Sequence, residues 1–254
     1  MNNSIESIMK KAAADMGISL SSAALCAFVR YCDILYTRSL QINLTAIKNK
    51  EDIIRLHFLD SLALLNVADF KDAKVLDIGS GAGFPGLPLK IAEPSIELTL
   101  LDATKKRVSF LTELCRELSI KVLCLHARAE DVAHTGRMTG SGRPCVPPDG
   151  SGDMRENYDI VVSRAVAKLN VLCELCLPFL RAGGVFPAMK GMDSDEELRE
   201  ALGAIEILGA RVISTSEYTI PDTDVRHRII LIEKISQTPD RFPRRFARIE
   251  KKPL

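Results

Sequence analysis

The sequence predicts an α/β fold: a doubly wound, mostly parallel Rossmann-like sheet with an N-terminal helical extension. Three observations predict it. Strand-like and helix-like segments alternate from Ala73 to Lys234. A purely helical apolar period fills the chain from Asn2 to about Asp69 before that alternation starts. The first strand runs straight into a cluster of glycines, as in nucleotide-binding βα turns. The division expected is a helical region over 1–69 and an α/β domain over 70–254.

The opening residues, "MNNSIESIMKKAAADMG", carry both charge signs and read as an amphipathic helix without the apolar stretch of a signal peptide. In "LCAFVRYCDILY", Leu25, Phe28, Cys32 and Leu35 recur at helical spacing and form one apolar face. A polar link, "QINLTAIKNK", precedes a second helical stretch, "EDIIRLHFLDSLALL", whose acids Glu51 and Asp52 stand near its start, as helix polarity prefers. His57 and Asp60 share a face of this stretch, where an ordinary capping or core role is expected rather than catalysis.

The α/β text then reads in order. "AKVLDIG" is a strand, "PGLPLKIAE" a helix and "IELTLLD" a strand. "TKKRVSFLTELCREL" is a helix with Val108, Leu111, Cys115 and Leu118 inward, and "KVLCLHA" is the third strand. "YDIVVSRA" is the fourth, followed by a helix over "LNVLCELCLPFLRAGG" that its glycines should stop. "GVFPAMKG" is a strand, "SDEELREALGAIEILG" a helix opened by a Ser or Asp cap, and "RVISTSEYTI" and "VRHRIILIEK" close the sheet. One segment, 134–157, has no period, is rich in Gly, Pro and Ser, and reads as a long surface loop.

Composition narrows the classes. Hydrophobic residues make up 46% and charged residues 26% of the 254, which suits a globular core. No apolar run reaches the roughly 18 residues that span a bilayer, and a cytoplasmic protein without membrane contact is expected. The seven cysteines are an odd count, lie mostly in apolar periodic segments and suit reduced thiols. Cys173 and Cys176 form a CxxC, but no second ligand pair at zinc spacing accompanies it, so no metal is expected. A net charge of +1 means that any nucleic-acid surface is local.

The glycines after the first strand specify a ligand. Gly79, Gly81 and Gly83 run at GxGxG spacing, whereas a dinucleotide fingerprint is GxGxxG. Pro85 stands where the next helix begins and removes one of the N–H groups on which a pyrophosphate would sit. Asp102 ends the following strand, about 20 residues on, where a carboxylate can hold ribose hydroxyls. A ribose without phosphates fits these features, and S-adenosylmethionine is such a ligand.

Several stretches together, "NLTAI", "HFLDSL", "VLDIGSGAGFPGLPLKI", "LLDATKKRVSFL", "RAEDV", "YDIVVSRAVAKL", "GGVFPAMKG", "RHRIILIEK" and the closing "RFPRRFARIEKKPL", resemble the small-subunit ribosomal RNA methyltransferase G family, also called GidB. The resemblance covers nearly the whole chain outside 134–157. It implies a methyltransferase sheet and transfer of a methyl group from S-adenosylmethionine to N7 of a guanine in 16S RNA. It also implies that Gly79, Gly81 and Phe84 line the methionine end of the cofactor, that Asp102 takes the ribose, and that Ala129 and Glu130 border the adenine. Arg164 would sit between cofactor and substrate. The sequence departs from the family in the distance between Glu130 and Arg164, which the 134–157 segment lengthens.

The chemistry implied is base-free. The fourth strand ends in "SRAVA", with neither the Asn/Asp-Pro-Pro-aromatic stretch of exocyclic-amine methylases nor a cysteine for covalent attack on a pyrimidine. Guanine N7 already offers an in-plane lone pair, and no catalytic residue is named. RNA contact is expected from the tail, where Arg241, Arg244, Arg245, Arg248, Lys251 and Lys252 interleave with Phe242 and Phe246. A second basic cluster, "ATKKR", stands near the cofactor loop. The partner expected is 16S ribosomal RNA or the small ribosomal subunit. The competing readings are a methyltransferase for small molecules or proteins, a non-enzymatic cofactor-binding module, and a nicotinamide dehydrogenase, the last disfavoured by Pro85 and the GxGxG spacing.

Overall fold

The computed structural model describes residues 2–134, 153–164 and 167–254; most of the predicted 134–157 loop lies outside these. The N-terminal helices are α1 (Asn2–Asp15) and α2 (Ser22–Ser39). The Ser21 hydroxyl caps α2 by accepting from the Ala24 N–H at 3.1 Å. Leu25, Phe28, Cys32 and Leu35 are all buried, as their spacing predicts. The second helical stretch is not one regular helix. It is α3 (Lys50–Ile53), a π-helical turn (Ile54–Leu59), α4 (Asp60–Leu62) and a 3-10 turn (Ala63–Asn66). A π turn inside a helix often marks a functional position, and this one carries His57.

Seven strands form one sheet in the order β3-β2-β1-β4-β5-β7-β6. They are β1 (Lys74–Ile78), β2 (Glu97–Asp102), β3 (Leu123–His126), β4 (Tyr158–Val162), β5 (Leu180–Gly191), β6 (Ala210–Thr219) and β7 (Arg226–Lys234). The first five are parallel, and β7 inserts antiparallel between β5 and β6. Their crossovers carry α5 (Gly86–Ala92), α6 (Lys105–Glu117), the short α7 (Ala129–Val132), α8 (Leu169–Cys176) and α9 (Asp195–Ile207); α10 (Phe246–Lys251) follows the sheet. The order in which strands are added to the sheet reverses between β1 and β4. Open parallel sheets bind ligands at the carboxyl ends of the strands flanking such a switch point.

Two apolar clusters cover the two faces of the sheet. One packs α1, α2 and the irregular helical stretch against α5, α6 and one sheet face, with Phe28, Tyr31, Phe58 and Leu87 at its centre. The other packs α8 and α9, with Phe242 and Ile249 of the tail, on the opposite face. The tail is therefore anchored through apolar side chains.

Two local expectations are corrected. The helix after β4 ends at Cys176 and gives way to a 3-10 turn (Leu177–Phe179), because Pro178 has no N–H to continue it. Gly183 and Gly184 do not stop that helix; they lie inside β5. A Cβ at Gly184 would stand 2.8 Å from the Asp159 carbonyl oxygen, where the β4–β5 register shifts, so only glycine fits. The cap expected of α9 is also different. Ser194 holds the N-cap position without a side-chain cap bond, and Asp195, Glu196 and Glu197 complement the helix dipole.

Candidate functional site

The glycine loop between β1 and α5 is shaped by left-handed backbone. Gly79, Gly81 and Gly83 have φ of +73°, +59° and +106°. A Cβ at Gly83 would meet the Tyr31 hydroxyl at 2.6 Å, and that hydroxyl donates to the Ala82 carbonyl at 2.5 Å. Helix α2 thus clamps the loop from the N-terminal side. Below it, the buried Asp77 accepts the Gly86 N–H through Oδ2 at 2.8 Å. Burial pushes the Asp77 carboxyl well above the usual range, and its Oδ1 has no partner among the described residues.

Most of the loop's N–H groups are already used. Those of Gly79 and Ser80 donate to the Leu101 carbonyl, and those of Gly83 and Phe84 to the Ser80 carbonyl. The Gly81 N–H donates to Asp102 Oδ2 at 2.9 Å. With the Gly86 N–H on Asp77 and no N–H on Pro85, the loop presents no row of donors for a pyrophosphate. Asp102 is 3% exposed; its Oδ1 accepts the Thr104 N–H at 2.7 Å, and the Arg107 guanidinium lies 3.6 Å from Oδ2.

Beside this loop lies a cavity of about 270 Å³. Gly79, Ala103, Ala129 and Glu130 line it, with Ile78, Leu101, Leu172, Leu175 and Phe246 supplying apolar wall. A Cβ at Gly79 would meet no protein atom within 4 Å, so the loop leaves room on its open side. An apolar cradle with one carboxylate at its edge fits the nucleoside of S-adenosylmethionine. Ala129 and Glu130, expected at the adenine, line this cavity with Asp102 next to them, and Gly79, expected at the methionine end, lines it too. Gly81 is held to Asp102, outside the lining of this cavity.

Phe84 and Arg164 meet on the other side of the loop. The Arg164 guanidinium carbon stands 4.6 Å from the Phe84 ring centroid. Phe84 also stacks on His57 at 4.5 Å and on Tyr31 at 5.6 Å. Arg164 donates to the Leu56 carbonyl at 3.1 Å, to Asp60 Oδ2 at 3.3 Å and to His57 Nδ1 at 2.9 Å. The remaining ring nitrogen of His57 lies 2.7 Å from Thr45 Oγ1 and is placed to donate to it. Burial and the Arg164 charge lower the His57 pKa to about 4, so the ring is neutral near pH 7.

Asp60 ties this cluster to the antiparallel end of the sheet. Its Oδ1 accepts from the Tyr218 hydroxyl at 2.6 Å and from His227 Nδ1 at 2.8 Å. Burial pushes Asp60 up, but these hydrogen bonds and the Arg164 charge outweigh it and hold the carboxyl below its ordinary value. His227 is raised by its bond to Asp60 against the opposing effect of burial. Asp60, Arg164 and His227 line a second cavity of about 690 Å³ with Lys168, Lys190 and Asp193. Ser163 faces the first cavity and Arg164 the second, so the end of β4 divides them.

The sequence model of the family described as rRNA small subunit methyltransferase G, GidB, matches residues 25–226. The "Ribosomal RNA small subunit methyltransferase G" of Alkaliphilus oremlandii is 42% identical over 252 residues, covering 98% of this chain and 99% of that one. The protein of the same description from Clostridium tetani is 40% identical over 249 residues, covering 97% and 98%. This chain belongs to the rRNA small subunit methyltransferase G family. The crystal structure of a methyltransferase from Pyrococcus furiosus superposes with a TM-score of 0.52 at 13% identity, over 81% of this chain and 97% of that one, a likeness of fold.

For a methyltransferase G chain, several residues that carry no role in the sequence reading stand at the site. Tyr31 bonds the glycine loop, Thr45 bonds His57, and Tyr218 and His227 bond Asp60. His57 and Asp60 do not cap a helix; they are partly or fully buried members of the Arg164 network. Thr45 and His227 fall within stretches that carry the family resemblance, which is the only sequence signal for them. Tyr31 and Tyr218 look like ordinary core and strand residues.

The tail is divided. Arg245, Arg248, Lys251 and Lys252 are exposed. Arg244 is not free for a phosphate: its guanidinium grips the fully buried Glu174 at 2.6 and 2.8 Å. Phe242 is buried in the core, so its ring is unavailable for base stacking. Among the described residues, no group of three or more His, Cys, Asp or Glu side chains could hold a metal ion, and no helix is long and apolar enough to cross a membrane.

Proposed function

We propose that this chain transfers the methyl group of S-adenosylmethionine to N7 of a guanine in 16S ribosomal RNA, in the cytoplasm and without a metal. The observation that carries the reading is a glycine loop most of whose N–H groups are internally used, set beside a cradle sized for a nucleoside. Residues 70–254 form the methyltransferase unit in this reading, and 1–69 form a helical region that clamps its loop through Tyr31 and its substrate face through Asp60.

When bound, S-adenosylmethionine supplies an activated methyl group. Gly79, Ala129 and the carboxylates of Asp102 and Glu130 border its nucleoside, and Gly81 lies toward its methionine end. Phe84 packs at the methionine end, and Arg164 stands between cofactor and guanine. The N7 lone pair attacks without losing a proton, so no base is needed. The network agrees: neutral His57 has both ring nitrogens engaged, and Asp60 has both oxygens engaged. These groups orient Arg164, and alignment of two reactants can supply roughly 7–11 kcal/mol of the barrier.

Labelled S-adenosylmethionine should transfer its methyl to small ribosomal subunits or to protein-free 16S RNA, and nuclease digestion should release 7-methylguanosine. Label in a small molecule or protein and none in RNA would replace this reading with the competing one.

A further inference from the structure

The C-terminal helix has two unlike sides. Phe246, its first residue, forms part of the wall of the 270 Å³ cavity beside Leu172 and Leu175 of α8. Ile249, one turn on, is fully buried. Arg245, Arg248 and Lys251, with Lys252 just beyond, lie exposed. The approach to the helix is tethered through main-chain atoms. Arg155 donates to the Phe242 carbonyl at 2.8 Å and to the Thr238 carbonyl at 2.7 Å, and a ring nitrogen of His134 lies 2.8 Å from the Pro243 carbonyl. Arg244 and Glu174 then fasten the turn into α10.

We propose that this segment couples the two ligands: Phe246 packs against the nucleoside of S-adenosylmethionine, and the cofactor thereby fixes the helix whose opposite side grips RNA phosphates. The inference rests on the reading of the site as an S-adenosylmethionine-dependent RNA methyltransferase. It also changes what the tail is expected to do. Read as a basic terminus, it should be removable without loss of cofactor; with Phe246 in the cavity wall, its removal opens the pocket. Coupling through one helix is reciprocal, so cofactor tightens RNA binding by the factor by which RNA tightens cofactor binding.

The chain contains no tryptophan, so Phe246→Trp places a single indole reporter at the cavity wall. Calorimetry on the wild type first establishes S-adenosylmethionine binding. Titration of Phe246→Trp with S-adenosylmethionine should then shift the indole emission and saturate with the calorimetric affinity. Phe246→Ala, with a wild-type melting temperature as its folding control, should bind the cofactor about tenfold more weakly; Phe246→Leu should recover part of the loss. Wild-type affinity for 30S subunits should rise about fivefold or more with S-adenosylhomocysteine present, and Phe246→Ala should abolish that rise. An unmoved emission together with unchanged cofactor affinity in Phe246→Ala overturns the proposal and leaves the methyltransferase reading standing. A wild type that binds cofactor calorimetrically but shows equal 30S affinity with and without it overturns the coupling. A wild type that binds no cofactor overturns both.

Discussion

Arg164 lies over the face of Phe84, its guanidinium carbon 4.6 Å from the ring centroid, and the same group reaches Asp60, His57 and the Leu56 carbonyl. A planar fork can do all of this at once; an ammonium cannot. Arg164→Lys keeps the charge and loses the stacking and part of the hydrogen bonding. Single-turnover methyl transfer with RNA and cofactor saturating should slow about ten- to hundredfold, the equivalent of about 1.4–2.7 kcal/mol. Cofactor affinity should change less, because Arg164 lines the other cavity. An unchanged rate would remove Arg164 from the reaction and leave it a structural ion pair.

The histidines of the cluster give opposite pH dependences. His57 is lowered to about 4 by burial and the Arg164 charge, against about 6.5 in an unfolded chain. Between those values the unfolded state takes up a proton that the folded state refuses. Its contribution is therefore complete above pH ~6.5 and is lost as the pH falls toward 4, by up to about 1.4 kcal/mol per unit. His227 is raised, so its contribution is complete below the unfolded value and is lost as the pH rises through the folded one. His57→Gln should melt with a smaller drop between pH 7 and pH 5 than the wild type. Equal drops would show that His57 is not a buried neutral ring. The methyl-transfer rate itself should stay nearly flat from about pH 6 to 8.5, since no base titrates in the step.

The parts of this site that were legible in the sequence are the parts set by backbone. GxGxG spacing, Pro85 and a carboxylate at the end of β2 each have a local conformational meaning, so the loop and Asp102 could be placed without coordinates. The helix–strand alternation was legible for the same reason. The cluster around Asp60 was not. Tyr218 is 158 residues from Asp60 in sequence and His227 is 167, and nothing local distinguishes a strand tyrosine that bonds a buried acid from one that faces water. The tail misled because basic composition carries no record of which arginine meets a buried acid. Arg244 and Arg245 are adjacent, yet one is locked on Glu174 and the other is exposed.

Asp102 braces the loop, and in the proposed reading it also takes the ribose of the cofactor. Its two oxygens already accept from the Gly81 and Thr104 N–H groups, and a carboxylate has lone pairs left for ribose hydroxyls. Asp102→Ala should weaken S-adenosylmethionine binding tenfold or more, since a hydrogen bond to a charged group is worth about 1.5–3 kcal/mol. It should also lower the melting temperature, because two N–H groups lose their acceptor. A lowered melting temperature with unchanged calorimetric affinity would reduce Asp102 to a brace for the loop.

Glu174 should make the tail a stability element. Its side chain is fully buried, with Arg244 supplying its Nε, one terminal nitrogen and the main-chain N–H. Removing one member of such a pair strands a charge in the core and costs about 3–5 kcal/mol, whereas replacing both by apolar side chains of similar volume is often neutral or better. Arg244→Met alone should therefore lower the unfolding free energy in urea by that order. Glu174→Leu combined with Arg244→Met should recover most of it, so the double-mutant cycle reads a strong favourable coupling between the two positions. Arg245→Met, one residue along and exposed, should leave stability unchanged and weaken RNA binding, with a slope of log K against log salt shallower by about 0.7–0.9 for each phosphate that is no longer neutralised. If Arg244→Met is as stable as the wild type and shows that shallower slope instead, the guanidinium belongs to the RNA surface in solution and the pair with Glu174 does not hold the tail.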